Sequence, residues 1–186
     1  MSGLTVTTLR YAIVLDLDDG AAAAVHEITE RVAPGIGHRD ISGASVAPHV
    51  TLAACSALDV EGFQSLLAAV SVRTSPVATT FASLGVFPTG EGVIFLAPTV
   101  SRELLDLQLQ VITDLQNIGA QIEPYWLPGQ WVPHCTLATG IPPELISRMV
   151  EGALKILRPI NASLVRLSLV EINSPRRLYA FELKPG

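Results

Sequence analysis

Two four-residue motifs in this chain share histidine and threonine at the same positions and are candidates for acid–base chemistry. They are His-Val-Thr-Leu at residues 49–52 and His-Cys-Thr-Leu at residues 134–137. Each has a proline immediately before it and an alanine immediately after it, and the second copy begins 85 residues after the first in a chain of 186. The repeat predicts two similar halves that each present one imidazole and one hydroxyl group.

The spacing within each motif is suited to a β-strand. Successive side chains on a strand point to opposite faces, so His49 and Thr51 share one face. The same count places His134 and Thr136 together in the second copy. A proline is well tolerated at the first position of a strand, where its missing N–H disturbs the sheet least. A sheet that brings the two strands together would surround one cavity with two imidazoles and two hydroxyl groups.

This set of groups is suited to displacement at phosphorus. A neutral imidazole accepts a proton from water or an alcohol, and an imidazolium donates one to a leaving oxygen, because the ordinary histidine pKa is about 6.5. Threonine hydroxyls can donate hydrogen bonds to the non-bridging phosphate oxygens. We therefore predict His49 and His134 as catalytic residues and Thr51 and Thr136 as substrate-binding residues.

We expect no metal and no cofactor. A zinc site would require three or more convergent ligands, and neither a Cys-x-x-Cys nor a His-Glu-x-x-His spacing is present. The glycine-containing segment 88–92 lacks the strand–turn–helix context of a phosphate-binding loop and predicts a hairpin turn. Ligation of a metal by the two histidines is the alternative interpretation.

Cysteines and aromatic residues near the motifs leave alternatives open. Cys55 and Cys135 are typical of packed thiols in a reducing compartment. If the first strand extends far enough, Cys55 shares the face of His49, and a nucleophilic or redox role is then the alternative. Tyr125, Trp126 and Trp131 lie just before the second motif; their rings would either stack against a nucleobase or fill the core.

The motifs, extended to Pro-His-Val-Thr-Leu-Ala and Pro-His-Cys-Thr-Leu-Ala, resemble the paired motifs of the 2H phosphoesterase superfamily. This group includes the 2′-5′ RNA ligase-like proteins and cyclic nucleotide phosphodiesterases. The segments 81–88 and 93–98, a leucine-rich helix ending at Gly119, and the final segments 165–172 and 177–183 resemble the family's order of elements. The resemblance covers nearly the whole chain.

The resemblance implies a bilobal fold with a central cleft and metal-independent action on 2′,3′-cyclic phosphates or 2′-5′ linkages. It implies that His49 and His134 are the general base and general acid, without deciding which is which. It also implies that Thr51 and Thr136 bind the phosphate.

The charge of the chain argues against binding of long nucleic acids. Twelve Lys and Arg residues stand against 17 Asp and Glu residues, for a net charge of −5. Extended nucleic-acid binding depends on several phosphate contacts and a basic patch. We therefore expect a small nucleotide or an RNA end as the substrate. Four arginines could add positive potential near the cleft, but we expect ordinary solvated side chains: Arg10, Arg166, Arg176 and Arg177.

No apolar run approaches the roughly 20 residues that span a bilayer, and the N-terminus lacks the pattern of a secretion signal. We expect a cytoplasmic monomer with no membrane contact.

Hydrophobic periodicity predicts the element order β-α-β-α-β-β-α-β-α-β-β. Beyond the motif strands, strands are expected at 9–17, 77–86, 92–97, 164–172 and 178–183, and helices after Asp18 or Asp19, Asp59, Thr99 or Ser101, and Pro142. The loop at 35–47 is predicted as a mobile connection, with a lid as the alternative. The expected fold is α+β, a bilobal duplicated fold with antiparallel sheets lining a central cleft and helices packed outside. A single domain over 1–186, made of two pseudo-symmetric lobes, would contain it.

Two hypotheses for function follow. The first is a metal-independent phosphodiesterase that hydrolyses 2′,3′-cyclic phosphate or 2′-5′ linked nucleotide or RNA-end substrates. The second is a non-catalytic nucleotide or RNA-end binding module. Intact histidines in both motifs favour the enzyme, because binding alone needs neither an acid nor a base.

Overall fold

The computed structural model describes residues 9–32, 47–87, 89–90, 92–174 and 176–184. These residues form eight strands, four α-helices and one short 3₁₀ helix. The strands are β1 (Tyr11–Leu17), β2 (His49–Ala57), β3 (Val77–Phe87), β4 (Val93–Pro98), β5 (Gln121–Ile122), β6 (Cys135–Thr139), β7 (Ile160–Glu171) and β8 (Arg176–Glu182). The helices are α1 (Asp19–Val32), α2 (Val60–Val72), α3 (Arg102–Asn117) and α4 (Pro143–Ile156), with a short 3₁₀ helix at Pro124–Trp126.

The strands form one antiparallel eight-stranded sheet in the order β5-β2-β1-β7-β3-β4-β6, and β8 also pairs with β7. Strand β7 joins the two halves. Its residues 164–171 pair with β1, whereas its residues 160–164 pair with β3. The first motif therefore lies in the half that contains β1, and the second lies in the half that contains β4. The predicted α+β class with antiparallel strands is confirmed, although the strands belong to one continuous sheet.

All four helices begin where the sequence predicts, and in three of them a polar side chain caps the first turn. Asp18 Oδ1 accepts from the backbone N–H of Ala21 at 3.0 Å. Asp59 caps α2 through the N–H of Gly62, and Ser101 caps α3 through the N–H of Leu104. These bonds satisfy N–H groups that have no partner within the helix.

The apolar sides of the helices pack against one face of the sheet and form the core. In β1 the buried residues Tyr11, Ile13 and Leu15 point toward this helix-covered face. The opposite face of β1 carries Ala12, Val14 and Asp16. Since paired residues on neighbouring strands share a face, the direct pairing of Asp16 with His49 assigns the first motif to this second face.

Some boundaries differ from the predictions. Strand β5 was not expected, since two residues carry no periodic signal. Strand β7 begins at Ile160, four residues earlier than predicted, where its pairing with β3 starts. The predicted loop or lid at 35–47, except Ala47, lies outside the described residues. No helix in the described part of the chain has the length and apolar character needed to cross a bilayer.

Candidate active site

Both motif strands contain the same irregularity. In each, the threonine and the alanine on either side of the motif leucine pair with consecutive residues of the neighbouring strand, so the leucine itself has no counterpart. These leucines are Leu52 in β2 and Leu137 in β6. An extra residue of this kind is a β-bulge, which shifts the alternation of faces by one position. The two copies of the motif therefore share a local backbone irregularity as well as a sequence.

The bulge decides the position of Cys55. Beyond Leu52, Cys55 pairs with Tyr11 and belongs to the helix-covered core, away from His49. Burial, together with the nearby Glu123, raises the pKa of the Cys55 thiol to about 12. The expectation that Cys55 shares the face of His49 is therefore wrong, and the residue is a packed thiol. Cys135 is likewise fully buried, and burial raises its pKa to about 12.

Each histidine is anchored through the same ring nitrogen. Nδ1 of His49 lies 2.9 Å from the carbonyl oxygen of Ala47, and Nδ1 of His134 lies 2.8 Å from that of Val132. Because a carbonyl oxygen only accepts hydrogen bonds, we infer that Nδ1 carries the proton and donates in both rings. Nε2 is then the basic nitrogen of each neutral imidazole, as a general base requires.

The sheet brings the two motifs together. Strands β2 and β6 contact each other, and a hydrogen bond joins the backbone of His49 to the thiol of Cys135. The imidazoles also interact electrostatically, since the charge of His49 contributes to lowering the pKa of His134. Residues 85 positions apart in the sequence therefore occupy one site, as the repeat predicts.

Two aromatic rings surround His134. The ring of Phe87 meets the imidazole edge-on with centroids 4.8 Å apart, and the ring of Phe95 lies tilted at 5.3 Å. Burial of this kind disfavours the charged form and lowers the pKa of His134, an effect partly offset by the bond to Val132. His134 is consequently a neutral imidazole at pH 7.

A glycine makes room for this aromatic group. A Cβ atom added to Gly85 would lie 2.2 Å from Cζ of Phe95, far inside the distance at which carbon atoms can approach. Gly85 pairs directly with Phe95 across β3 and β4. The position of the Phe95 ring, and with it the support of His134, therefore depends on the absence of a side chain at residue 85.

The threonines occupy the remaining predicted positions. Thr51 and Thr136 are both half-buried. Thr51 lies on the face of His49, and Thr136 pairs with Phe95, whose ring contacts His134. The structure thus brings one histidine and one threonine from each half of the sheet to the same site.

Trp131 supports the first motif from the loop before the second. Its indole N–H donates to the backbone carbonyl of Thr51 at 2.9 Å, and its ring packs against the core. Gln108 adds a related link, since its Nε2 donates to the carbonyls of Leu52 and Trp126. Trp131 therefore fits the core-filling interpretation of the aromatic segment, whereas Tyr125 is 76% exposed and does not fill the core.

A buried carboxylate beside His49 was missed by the sequence reasoning. Asp16 is fully buried and contacts two arginines, Arg166 and Arg177. These two are held in the fold, so the expectation of solvated side chains is wrong for them. Arg10 and Arg176 are the exposed arginines that the prediction described. The available signal was Asp16 itself, a single charge within the otherwise apolar strand 11–17.

In the part of the chain that the structure describes, no three His, Cys, Asp or Glu side chains are grouped so that they could hold a metal ion.

A sequence profile of the 2′-5′ RNA ligase superfamily matches residues 12–176, which include both motifs and all four helices. The chain belongs to this superfamily. The resemblance to 2H phosphoesterases that the duplicated motifs predict is thereby confirmed. Membership of the superfamily supports an enzyme of the phosphoesterase or ligase-like kind.

Solved structures show the same fold at low sequence identity. LigT of E. coli, in complex with 3′-AMP, is 17% identical, with a TM-score of 0.64 over 95% of this chain and 98% of LigT. TT0787 of Thermus thermophilus is 17% identical, with a TM-score of 0.62 over 94% of this chain and 97% of TT0787. A structure described as a phosphoesterase is 18% identical, with a TM-score of 0.57 over 96% and 100% of the two chains. The search of curated proteins found no match.

Proposed function

We propose that this member of the 2′-5′ RNA ligase superfamily is a metal-independent phosphodiesterase. Its substrates are 2′,3′-cyclic phosphates or 2′-5′ linkages of nucleotides and RNA ends, and His49 and His134 perform general acid–base catalysis. One observation carries this proposal. Both imidazoles are anchored through Nδ1 to a carbonyl two residues earlier, which makes Nε2 the nitrogen of each ring that would take part in proton transfer.

The two histidines differ in a way that suggests their roles in hydrolysis. His134 is packed against Phe87 and Phe95, and burial lowers its pKa, so it begins the reaction neutral. As the general base it accepts a proton from water while the water oxygen forms a bond to phosphorus. The bond from phosphorus to the departing ribose oxygen breaks, and that oxygen receives the Nε2 proton of His49, which enters this step as an imidazolium. Exchange with solvent then restores both histidines.

The threonines are proposed to hold the reacting phosphate. One hydroxyl comes from each half of the sheet, Thr51 from β2 and Thr136 from β6. Hydrogen bonds from both sides to the non-bridging oxygens would fix the phosphate between the two histidines and stabilise the charge that develops on these oxygens. This arrangement requires no metal ion to neutralise the phosphate.

The substrate class rests on charge and on the comparison with LigT. Crystal structures of E. coli LigT hold 3′-AMP, ATP or phosphate, so that protein binds small phosphate compounds. A net charge of −5 for this chain favours a similarly small ligand over a long polyanion. We extend the proposal to a cytoplasmic monomer whose single domain, 1–186, consists of two pseudo-symmetric lobes.

The test is an activity assay of EDTA-treated protein on 2′,3′-cyclic nucleotides, 2′-5′ linked dinucleotides and oligonucleotides with cyclic phosphate ends. We expect turnover that His49→Ala and His134→Ala abolish while some nucleotide binding remains. His26→Ala is the matched control, since His26 is an exposed histidine on α1. Full activity in either site variant would overturn the mechanism. Nucleotide binding without turnover by the unmodified protein would instead favour the non-catalytic binding module.

A further inference from the structure

A row of ionisable side chains continues from the first motif across the sheet. His49 pairs with Asp16, Asp16 pairs with Arg166, and Arg166 pairs with Glu182. Directly paired residues share a face, so all four side chains lie on the face that carries the motif. This face thus extends from β2 over β1 and β7 to β8.

Arg177 reaches this row from β8. It pairs with Val170, which pairs with Ala12 on the same face of β1 as Asp16. Its Nη2 lies 3.0 Å from Asp16 Oδ2. Since Asp16 is the direct neighbour of His49, the guanidinium group of Arg177 lies one strand away from the first catalytic histidine.

The two arginines of this cluster, Arg166 and Arg177, differ in the number of carboxylates that they contact. Arg166 donates to Glu182 and also contacts Asp16, and the bond to Glu182 raises the pKa of Arg166. Arg177 has only the ion pair with Asp16 among the described residues. All the contacts of Asp16 with these residues are made through Oδ2. This oxygen accepts a hydrogen bond from the Ser168 hydroxyl at 2.8 Å and also contacts both arginines. Arg177 is therefore the arginine whose guanidinium group has donors without acceptors among the described residues.

Several polar atoms of the cluster are buried and lack hydrogen-bond partners among the described residues. They are Oδ1 of Asp16 and both Nε and Nη2 of Arg177; the 3.0 Å ion pair thus does not satisfy the Nη2 donor. The Arg177 side chain as a whole is 29% exposed, so part of it reaches solvent. Buried polar groups in folded proteins are almost always hydrogen-bonded, so the Arg177 donors require acceptors that no described residue supplies, either water or a ligand.

The local charge favours an anion as that acceptor. In the buried part of the cluster two guanidinium groups share one carboxylate, that of Asp16. Two further carboxylates, Glu182 and Asp19, act on Arg166; both are exposed, and solvent weakens the field of such groups. A guanidinium group held by a carboxylate can still offer its remaining donors to phosphate oxygens in a fixed orientation.

We propose that Arg177, oriented by Asp16, binds a phosphate group other than the one being cleaved; because a 2′,3′-cyclic phosphate occupies both the 2′ and 3′ oxygens, this second phosphate is on the 5′ side of the nucleotide. The substrate class that this site selects is a nucleotide or short RNA end with a second phosphate, either a 5′-terminal phosphate or an internucleotide phosphate. The inference rests on the proposed function, because His49 and the threonines define where the cleaved phosphate lies.

The first test compares kcat/KM for adenosine 2′,3′-cyclic phosphate, its 5′-phosphorylated form, and a dinucleotide that ends in a 2′,3′-cyclic phosphate. In Arg177→Gln we expect the preference for the two substrates with a second phosphate to fall by about tenfold or more, mainly through KM. Arg177→Lys should retain part of the preference. The difference between the 5′-phosphate and the dinucleotide identifies which kind of phosphate the site takes.

Arg176→Gln is the matched control. Arg176 precedes Arg177 in the chain but is 68% exposed and pairs with Glu171. Arg176→Gln should leave the preference for substrates with a second phosphate unchanged. An equal loss on all three substrates in Arg177→Gln, or no loss on any, would overturn the inference.

A binding measurement separates this inference from the proposed function. The full chain carrying His134→Ala is titrated with adenosine 3′,5′-bisphosphate and with 3′-AMP, with and without Arg177→Gln. We expect the bisphosphate to bind more tightly only when Arg177 is present. This result would support the phosphate site even if no cyclic phosphate were hydrolysed, and equal loss of affinity for both ligands would refute it even in an active enzyme. Thermal unfolding verifies that each variant is folded.

Discussion

The imidazole of His134 meets the ring of Phe87 edge-on, with centroids 4.8 Å apart. This contact excludes water from the imidazole, and burial is the largest cause of the lowered pKa of His134. We expect Phe87→Ala to admit water and raise the pKa of His134 toward the ordinary value of about 6.5. An NMR titration of the His134 ring, together with the pH dependence of kcat/KM, would measure the change.

If His134 is the general base, the acidic limb of the kcat/KM profile should move upward in Phe87→Ala by the same amount as the NMR pKa. Phe181→Leu serves as a control, since Phe181 packs against the main core. An acidic limb that stays in place while the His134 pKa rises would assign the base role to another group.

Gly85→Ala should damage the site through Phe95. The new methyl group would lie 2.2 Å from Cζ of Phe95, so that ring must move and His134 loses its support. We expect destabilisation of about 1–3 kcal/mol, typical of overpacking, with a fall in kcat. Chemical denaturation and steady-state kinetics provide the two measurements.

Gly152, which lies on α4, provides a control for the substitution at Gly85. A Cβ atom at Gly152 would meet nothing within 4 Å, so Gly152→Ala should stabilise the helix by about 0.5–1 kcal/mol and leave turnover unchanged. The double variant Gly85→Ala/Phe95→Leu should recover part of the lost stability. A fully stable and active Gly85→Ala protein would show that the Phe95 ring does not position His134.

Removal of either threonine hydroxyl should impair catalysis far more than folding. Thr51→Val and Thr136→Val preserve side-chain shape but remove the proposed donors to the phosphate oxygens. We expect kcat/KM to fall by about 10- to 100-fold for each, with serine variants less affected. Near-normal kcat/KM in both valine variants, measured alongside thermal unfolding, would argue against phosphate binding by these hydroxyls.

The lowered pKa of His134 also predicts a pH dependence of stability. In the folded state the ring binds a proton less readily than in the unfolded chain, whose histidine pKa is about 6.5. The contribution of His134 is therefore fully present above about pH 6.5 and is lost as the pH falls through that value toward the folded-state pKa. Urea denaturation between about pH 5 and pH 8 measures the free energy of unfolding. As the pH falls, this free energy should decrease less in His134→Gln than in the unmodified protein. The same decrease in the free energy of unfolding in both proteins would contradict a lowered pKa of His134 in the folded state.

Trp131→Phe isolates the link between the aromatic loop and the first motif. It removes the indole N–H that donates to the carbonyl of Thr51, at an expected loss of about 0.5–1.5 kcal/mol in the free energy of unfolding. Because Tyr125 is exposed, Tyr125→Ala should leave stability unchanged, and its effect on nucleotide affinity decides whether that ring stacks on a base. Calorimetry of folding and of binding separates the two roles.

The sequence was sufficient to predict features that depend on neighbouring residues. The caps at Asp18, Asp59 and Ser101, and the shared face of His49 and Thr51, follow from local rules. The meeting of the two motifs followed from their repetition. None of these required knowledge of which strands pair.

Features that depend on pairing could not be predicted in this way. The bulge at Leu52 is visible only in the register between β1 and β2, and it reverses the predicted face of Cys55. Asp16 and Arg177 belong to strands at opposite ends of the sequence, so their contact depends on β7 lying between β1 and β8. Local patterns do not record such contacts.

We expect strand β7 to control when the two motifs come together. Both histidines precede β7 in the chain, yet in the sheet the described strands that carry them are linked by strand pairing through β7, whose first residues pair with β3 and whose later residues pair with β1. During synthesis on the ribosome, a nascent chain that has released residues 1–159 already contains both motifs but lacks β7, the strand that pairs with both halves of the sheet. We therefore expect the two motifs to come together late in translation, when the C-terminal strands emerge.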